Sequence, residues 1–230
     1  MIKKNSMIKI PNLSSQSMYD SETIFNLYMN KERLSKFLIH YELFKKIEKK
    51  NNCIVECGVF KGTSFSRFAM FRELFKKKNK LIAFDNFSKE YPNTNFKNEK
   101  TIRQKFIKTA GNSISTSQLK KIFQKKKIKN FELIKGDVLK TIPKFKQKNQ
   151  NIKISLLNID IDFIESTSCV LENFYDNVEK GGIIIFDNYA GKYMGEYFHG
   201  ETSIIDNFLK KKNKKVRKFE FFNRPSYIVK

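Results

Sequence analysis

Residues 54–64 read IVECGVFKGTS, and the rest of the chain is organised around them. The segment opens as a short apolar strand (Cys53, Ile54, Val55) that closes on an acid, Glu56. It turns on Gly58 and Gly62 and enters a helix through Thr63, Ser64 and the following FSRFAMFRELF. Strand, glycine turn and helix make a cradle of the nucleotide-binding type. Glycine lets the backbone approach a ligand closely, and free N–H groups at a helix start attract negative charge. The spacing E-x-G-x-x-x-G differs from the dinucleotide G-x-G-x-x-G and from the P-loop G-x-x-x-x-G-K-[ST], so it implies no pyrophosphate grip. Many such turns merely close a βα loop. The surrounding chain is what gives this one weight.

On the N-terminal side, residues 1–20 are polar and read as an irregular arm. Residues 21–50 read as a helical extension, with Ile24, Leu27, Leu34, Phe37, Leu38, Tyr41, Leu43 and Phe44 at three-to-four spacing and an interruption near Asn30. His40 within it reads as a packed or surface residue. On the C-terminal side, LIAF (81–84) is a second strand ending in Asp85-Asn86, followed by a loop over 88–100 and helices over 101–109 and 117–126. Strand 131–134 closes with Lys135-Gly136-Asp137, and Ile142-Pro143 reads as the end of the short helix after it. ISLLNI (154–159) ends in Asp160-Ile161-Asp162, and a helix follows over 166–177. Gly181-Gly182 turns into IIIF (183–186), which ends in Asp187-Asn188. A polar loop over 189–200 leads to a helix over 201–212. A hairpin then turns at Asn223-Arg224-Pro225.

Short, continuously apolar strands separated by helices predict an α/β domain, residues 21–230, whose mostly parallel sheet is covered on both faces. Right-handed crossovers put all strand C-termini on one edge, where open α/β sheets bind their ligands. Glu56, Asp85, Asp137, Asp160 with Asp162, and Asp187 all fall at that edge. One such acid reads as a helix cap or turn residue; an acid on each of five strands reads as a site.

At 230 residues and 40% hydrophobic content the chain suits one globular domain. The formal charge of +23 raises the prospect of a polyanion partner, but only six of the 46 basic residues are arginines and the lysines are spread throughout. That pattern fits a solvated lysine surface better than a nucleic-acid face. No apolar run has the length of a membrane span or a signal h-region, so the expectation is a cytoplasmic protein. Cys53, Cys57 and Cys169 form no zinc-type pairs and read as small core hydrophobes.

With these motifs in view, residues 20–230 resemble the class I S-adenosylmethionine-dependent methyltransferases, and among them the macrocin/mycinamicin-type sugar O-methyltransferases. The family turn V-x-E-C-G-V-[WF]-[RK]-G-[GT]-S is matched nearly letter for letter by IVECGVFKGTS. Its second-strand D-S-F corresponds to Asp85-Asn86-Phe87, its G-[DW]-x-x-x-T-[LI]-P to residues 136–143, its L-D-G-D-x-Y-E-S-T to residues 159–167, and its D-D-Y to Asp187-Asn188-Tyr189. The resemblance implies a Rossmann-like seven-stranded sheet with a C-terminal antiparallel hairpin and N-terminal helices. It implies S-adenosylmethionine at Glu56, Gly58, Val59, Gly62, Thr63, Ser64, Asp85, Asn86, Gly136 and Asp137, and Mg²⁺ at Asp160, Asp187 and Asn188. Two departures stand out: Ile161 replaces a glycine, and Asn188 replaces an aspartate.

Methyl transfer from a sulfonium needs in-line placement of the acceptor and removal of its proton. A sugar hydroxyl is a poor acid, so a cation to polarise it and a carboxylate to take the proton make chemical sense, and oxygen ligands favour magnesium over zinc. Asp160 is the expected base, with Asp162 able to share the task. Asp162 and Glu165 read equally well as caps of the following helix. Tyr189 and His199 are candidate acceptor contacts, although His199 also reads as an exposed loop residue. The expected activity is O-methylation of a small-molecule sugar or glycan, with homo-oligomerisation left open. The alternatives are RNA methylation or a non-catalytic module of the same fold.

Overall fold

The computed structural model describes residues 14–88, 94–193 and 196–230. Residues 1–13 of the expected arm and 89–93 of the expected loop lie outside them. The chain starts with helices α1 (Ser15–Tyr28) and α2 (Lys31–Lys46), then alternates β1 (Cys53–Cys57), α3 (Thr63–Leu74), β2 (Leu81–Asp85), α4 (Lys97–Thr109), α5 (Thr116–Lys125), β3 (Phe131–Lys135), α6 (Val138–Lys148) and β4 (Ile154–Ile159). It continues with α7 (Ile164–Phe174), a 3₁₀ turn (Tyr175–Asn177), β5 (Val178–Phe186), the two-residue strands β6 (Lys192–Tyr193) and β7 (Glu196–Tyr197), α8 (His199–Lys211), β8 (Arg217–Phe219) and β9 (Phe222–Val229).

The seven-stranded sheet runs β3-β2-β1-β4-β5-β9-β8, parallel as far as β5 and antiparallel at β9 and β8. Side chains alternate across it. Ile54, Leu81, Ala83, Leu156 and Ile183 enter one core with Phe44, Phe65, Phe68 and Phe123. Val55, Ile82, Phe84, Leu157 and Ile184 enter the other with Val170 and Phe174. Both faces are covered, which is why the central strands carry apolar residues on both faces rather than at every second position. The order reverses at β1: the chain builds outward to β3, then returns to place β4 on the other side. The crevice between the β1 and β4 ends is therefore the topological switch point.

Several local readings change; Gly181-Gly182, read as a turn before the fifth strand, lies inside β5, which already begins at Val178. The chain is helical from Ser15, inside the stretch read as an arm, because Ser14 and Ser17 form a reciprocal capping box. The helix after β3 runs past Pro143 to Lys148. Proline there gives up one backbone bond, while buried Ile142 and the packed Phe145 hold both sides of it. The final hairpin turns at residues 220–221, with Phe219 opposite Phe222, and residues 223–225 belong to β9. The β5–β9 ladder starts only at Ser226 opposite Phe186, so Pro225 precedes it and forfeits no ladder bond there. Asn30 caps α2 where the periodicity breaks, as the sequence implies. Among the described residues no helix is long and apolar enough to cross a membrane.

Candidate active site

The glycine turn is shaped first by the chain itself. Gly58 lies at φ +87°, and a Cβ there would sit 1.8 Å from the carbonyl oxygen of Asp160. The Asp160 N–H donates to Cys57 O at 2.9 Å, so the β1 and β4 ends touch backbone to backbone. Asp85, at the end of β2, closes the turn: its Oδ2 accepts from the Val59 and Phe60 N–H groups at 2.8 and 3.0 Å, and its Oδ1 from Phe87 N–H at 2.6 Å. Glu56 is fully buried beneath, where its Oε1 accepts from Ser64 Oγ at 2.7 Å and ties β1 to α3. Burial pushes the Glu56 carboxyl up to about 8. Across β3, the Gly136 N–H donates to Asp85 O at 3.0 Å, and Asp137 caps α6 by accepting from Leu139 N–H at 3.0 Å.

Beyond β4 the site is ionic. From α2, Lys36 Nζ lies 2.7 Å from Asp187 Oδ1 and 3.4 Å from Asp160 Oδ2. From β9, Arg224 Nη2 donates to Asn188 Oδ1 at 2.6 Å and Nε donates to Asp187 O at 3.1 Å. The Asn188 amide nitrogen in turn donates to the Asp162 carboxylate. Asp162 occupies the left-handed region at φ +72°, which aspartate tolerates better than most side chains. Burial and the neighbouring Asp187 raise the Asp160 carboxyl above its usual range. Burial would raise Asp187 too, but Lys36 and Arg224 outweigh it and hold that carboxyl low. Burial works against the Lys36 ammonium, and the two aspartates overcome it and raise its pKa.

These groups face a cleft of about 1630 Å³. Gly58, Thr63, Asp85, Asn86, Asp160, Asp162, Asp187 and Asn188 all line it. Glu56 and Ser64 lie under it, bonded to each other, while Val59, Gly62, Gly136 and Asp137 shape its loops. Tyr189 donates to Asp206 Oδ1 at 2.7 Å and does not line it; burial and that acid push its phenol up to about 12. His199 packs on Tyr197 with ring centroids 5.0 Å apart, beside a smaller cavity of about 180 Å³ bordered by Glu99, Asp162 and Glu201.

Sequence reasoning missed Lys36 and Arg224. A signal for Lys36 exists: it precedes the buried Ile39, His40 and Leu43 by three, four and seven residues, which places a lysine on the inward face of α2. The expected magnesium set is brought together differently from the expectation. Asp160 and Asp187 converge on an ammonium, and the one carbonyl oxygen of Asn188 is taken by a guanidinium. As placed, these three side chains fit two organic cations and not a hexacoordinate ion that needs oxygen ligands at about 2.1 Å.

The family profile described as Macrocin-O-methyltransferase (TylF) matches residues 28–213. No curated protein sequence matches the chain. Among solved structures the chain is similar to CalS11, described as a calicheamicin methyltransferase, with a TM-score of 0.71 at 20% identity over 94% of this chain and 87% of that one. An apo structure of CalS11, described as a TDP-rhamnose 3'-O-methyltransferase, gives 0.65 at 19% identity over 95% and 87%. The O-methyltransferase NovP gives 0.69 at 16% identity over 84% and 78%. At such identities these likenesses establish the fold. The profile match, spanning most of the chain and all five strand ends that carry acids, establishes more: this chain is an enzyme, an O-methyltransferase, and belongs to the macrocin O-methyltransferase family.

Proposed function

We propose that the chain transfers a methyl group from S-adenosylmethionine to a hydroxyl of a sugar, free as a nucleotide sugar or carried on a glycan or metabolite. The observation that carries this reading is the size and division of the cleft. At about 1630 Å³ it exceeds the roughly 300–1,000 Å³ of most single-ligand pockets, and it has two chemically different halves. The half around Gly58, Val59, Gly62, Thr63, Asp85, Asn86, Gly136 and Asp137, supported from beneath by Glu56 and Ser64, would hold the cofactor. When bound there, S-adenosylmethionine supplies an electrophilic methyl on a sulfonium centre. The half around Asp160, Asp162, Asp187 and Asn188 would hold the acceptor, and His199 borders its far side. Membership of the family and the description of CalS11 as acting on TDP-rhamnose support a sugar acceptor. A nucleotide-linked acceptor would place the reaction in the cytoplasm.

Asp160 takes the hydroxyl proton in this reading. Its carboxyl lines the cleft and is more basic than an ordinary aspartate because it is buried beside Asp187, which suits a general base near neutral pH. Asp162 is the second reading for that role, favoured by its position at the junction of the two cavities. Labelled S-adenosylmethionine and a panel of nucleotide sugars and glycosides test the assignment. The expected result is methyl on a sugar oxygen, with Asp160→Asn keeping its affinity for S-adenosylhomocysteine and losing about a hundredfold in turnover. Normal turnover in Asp160→Asn with a dead Asp162→Asn moves the role to Asp162. Methylation of RNA with no sugar accepted overturns the acceptor class.

A further inference from the structure

A lysine on the inward face of a helix has to find anions, because an unpaired buried ammonium is strongly unfavourable. Lys36 finds two. Its Nζ sits 2.7 Å from Asp187 Oδ1 and 3.4 Å from Asp160 Oδ2, between the ends of β4 and β5. The third position of the expected metal set is Asn188 and carries no charge, and its carbonyl oxygen already accepts from Arg224 at 2.6 Å. The cations at this edge come from other elements: Lys36 of α2 lies between the two carboxylates, and Arg224 of β9 holds Asn188, whose amide nitrogen donates to a third carboxylate, Asp162. A divalent ion entering between Asp160 and Asp187 would have to displace Lys36 from both carboxylates.

We propose that Lys36 supplies at this edge the positive charge that the resemblance assigns to magnesium, and that methyl transfer by this chain is independent of divalent metal. Lys36 is then a positioning residue: it holds the carboxylates of Asp160 and Asp187 in a fixed relation. Of the three N–H donors of this ammonium one reaches Asp160 Oδ2 at 3.4 Å, which leaves a donor for the oxygen of the acceptor hydroxyl. This inference rests on the sugar O-methylation reading for the identity of the acceptor, but not for the cation.

Manganese(II) paramagnetic resonance on the full chain tests it without recourse to activity, since bound ion is lost from the six-line signal of free Mn²⁺. The wild-type protein should leave that signal unchanged up to millimolar Mn²⁺. Lys36→Met, with its dicarboxylate pair vacated, should take up one ion at least tenfold more tightly than wild type, and adding Asp187→Asn should abolish that uptake. Wild-type turnover should be the same in EDTA, and Mn²⁺ should restore part of the turnover lost in Lys36→Met. Uptake of one ion per wild-type chain, removed by Asp187→Asn, overturns the proposal, as does a folded Lys36→Met that binds Mn²⁺ no better than wild type. If Lys36→Met does not fold, the wild-type titration and Lys36→Gln decide the matter. Calorimetry with S-adenosylhomocysteine and the sugar panel, run on the same samples, report separately on the functional reading. A protein that binds no Mn²⁺ and methylates no sugar refutes that reading and leaves the cation assignment standing.

Discussion

Gly58 and Gly62 share a left-handed backbone and differ in their surroundings. A side chain at Gly58 would drive into the Asp160 carbonyl at 1.8 Å, whereas one at Gly62 would meet Leu119 at an ordinary 3.5 Å. Gly58→Ala should therefore combine left-handed strain with a backbone clash and cost about 3 kcal/mol or more. Gly62→Ala carries only the strain, about 1–2 kcal/mol. Urea unfolding of both variants checks the contrast, and equal losses would refute it. His40 offers a second test. It is fully buried against Phe68, and among the described residues neither ring nitrogen has a hydrogen-bond partner. Burial, reinforced by the Lys36 charge, pushes its pKa down to about 3. The folded state thus keeps His40 neutral while the unfolded chain protonates near 6.5. Its contribution is present above pH 6.5 and is lost as pH falls from there towards 3. Between pH 7.5 and 5 the wild type should lose about 2 kcal/mol more than His40→Leu, by denaturant unfolding at the two pH values. Parallel losses in the two proteins would show that His40 does not titrate in this way.

At the scale of elements, α1 and α2 look alike in sequence and differ in what they bury. α2 buries Ser35, Ile39, His40, Leu43 and Phe44, while α1 buries none of its residues. Ile24, Phe25 and Tyr28 of α1 instead border the main cleft. Removing residues 1–28 should then leave unfolding free energy within about 0.5 kcal/mol, in line with exposed changes. It should weaken ligand binding in the cleft, read as a raised KM for the acceptor. A large stability loss with unchanged KM would reverse the assignment. Among the strand-end acids, Asp85 and Asp137 do local structural work as a loop closure and a helix cap. The strand-four and strand-five acids hold the ionic cluster.

For the whole molecule, a formal charge of +23 surrounds a cleft whose floor is acidic. Lys61, Arg67, Lys108 and Lys192 line the cleft's outer parts, and the overall field favours anionic ligands. The Debye length shrinks from about 10 Å at 0.1 M salt towards 3 Å at 1 M, so this attraction is screened as salt rises. The KM for a nucleotide-linked sugar should rise several-fold between 0.05 and 0.5 M salt, roughly in step with that screening, while the KM for a neutral glycoside stays nearly flat. Steady-state kinetics on the two acceptors measure it, and an equal response would mean that the lysine surface plays no part in capture.

The parallel sheet, the edge that carries its strand C-termini and the cleft-lining Gly58, Asp85, Asp160 and Asp187 were legible in the sequence, because continuous apolar strands, glycine turns and strand-end acids are local patterns. The strand order that sets the switch point was not. The family motifs added the cofactor and the chemistry. Two kinds of fact were decided by tertiary structure. One is what lies against each acid: Glu56 reads the same with or without a side-chain neighbour, and only the packing of α3 over β1 brings Ser64 to its Oε1. The other is the source of the cations. Lys36 and Arg224 are 188 positions apart in a chain with 46 basic residues; helical spacing puts Lys36 on an inward face, but nothing local says which anions it or Arg224 will meet. They reach Asp187 and Asn188 because β9 pairs with β5 and α2 packs against β9, and contacts between elements so far apart in the chain cannot be read from local spacing.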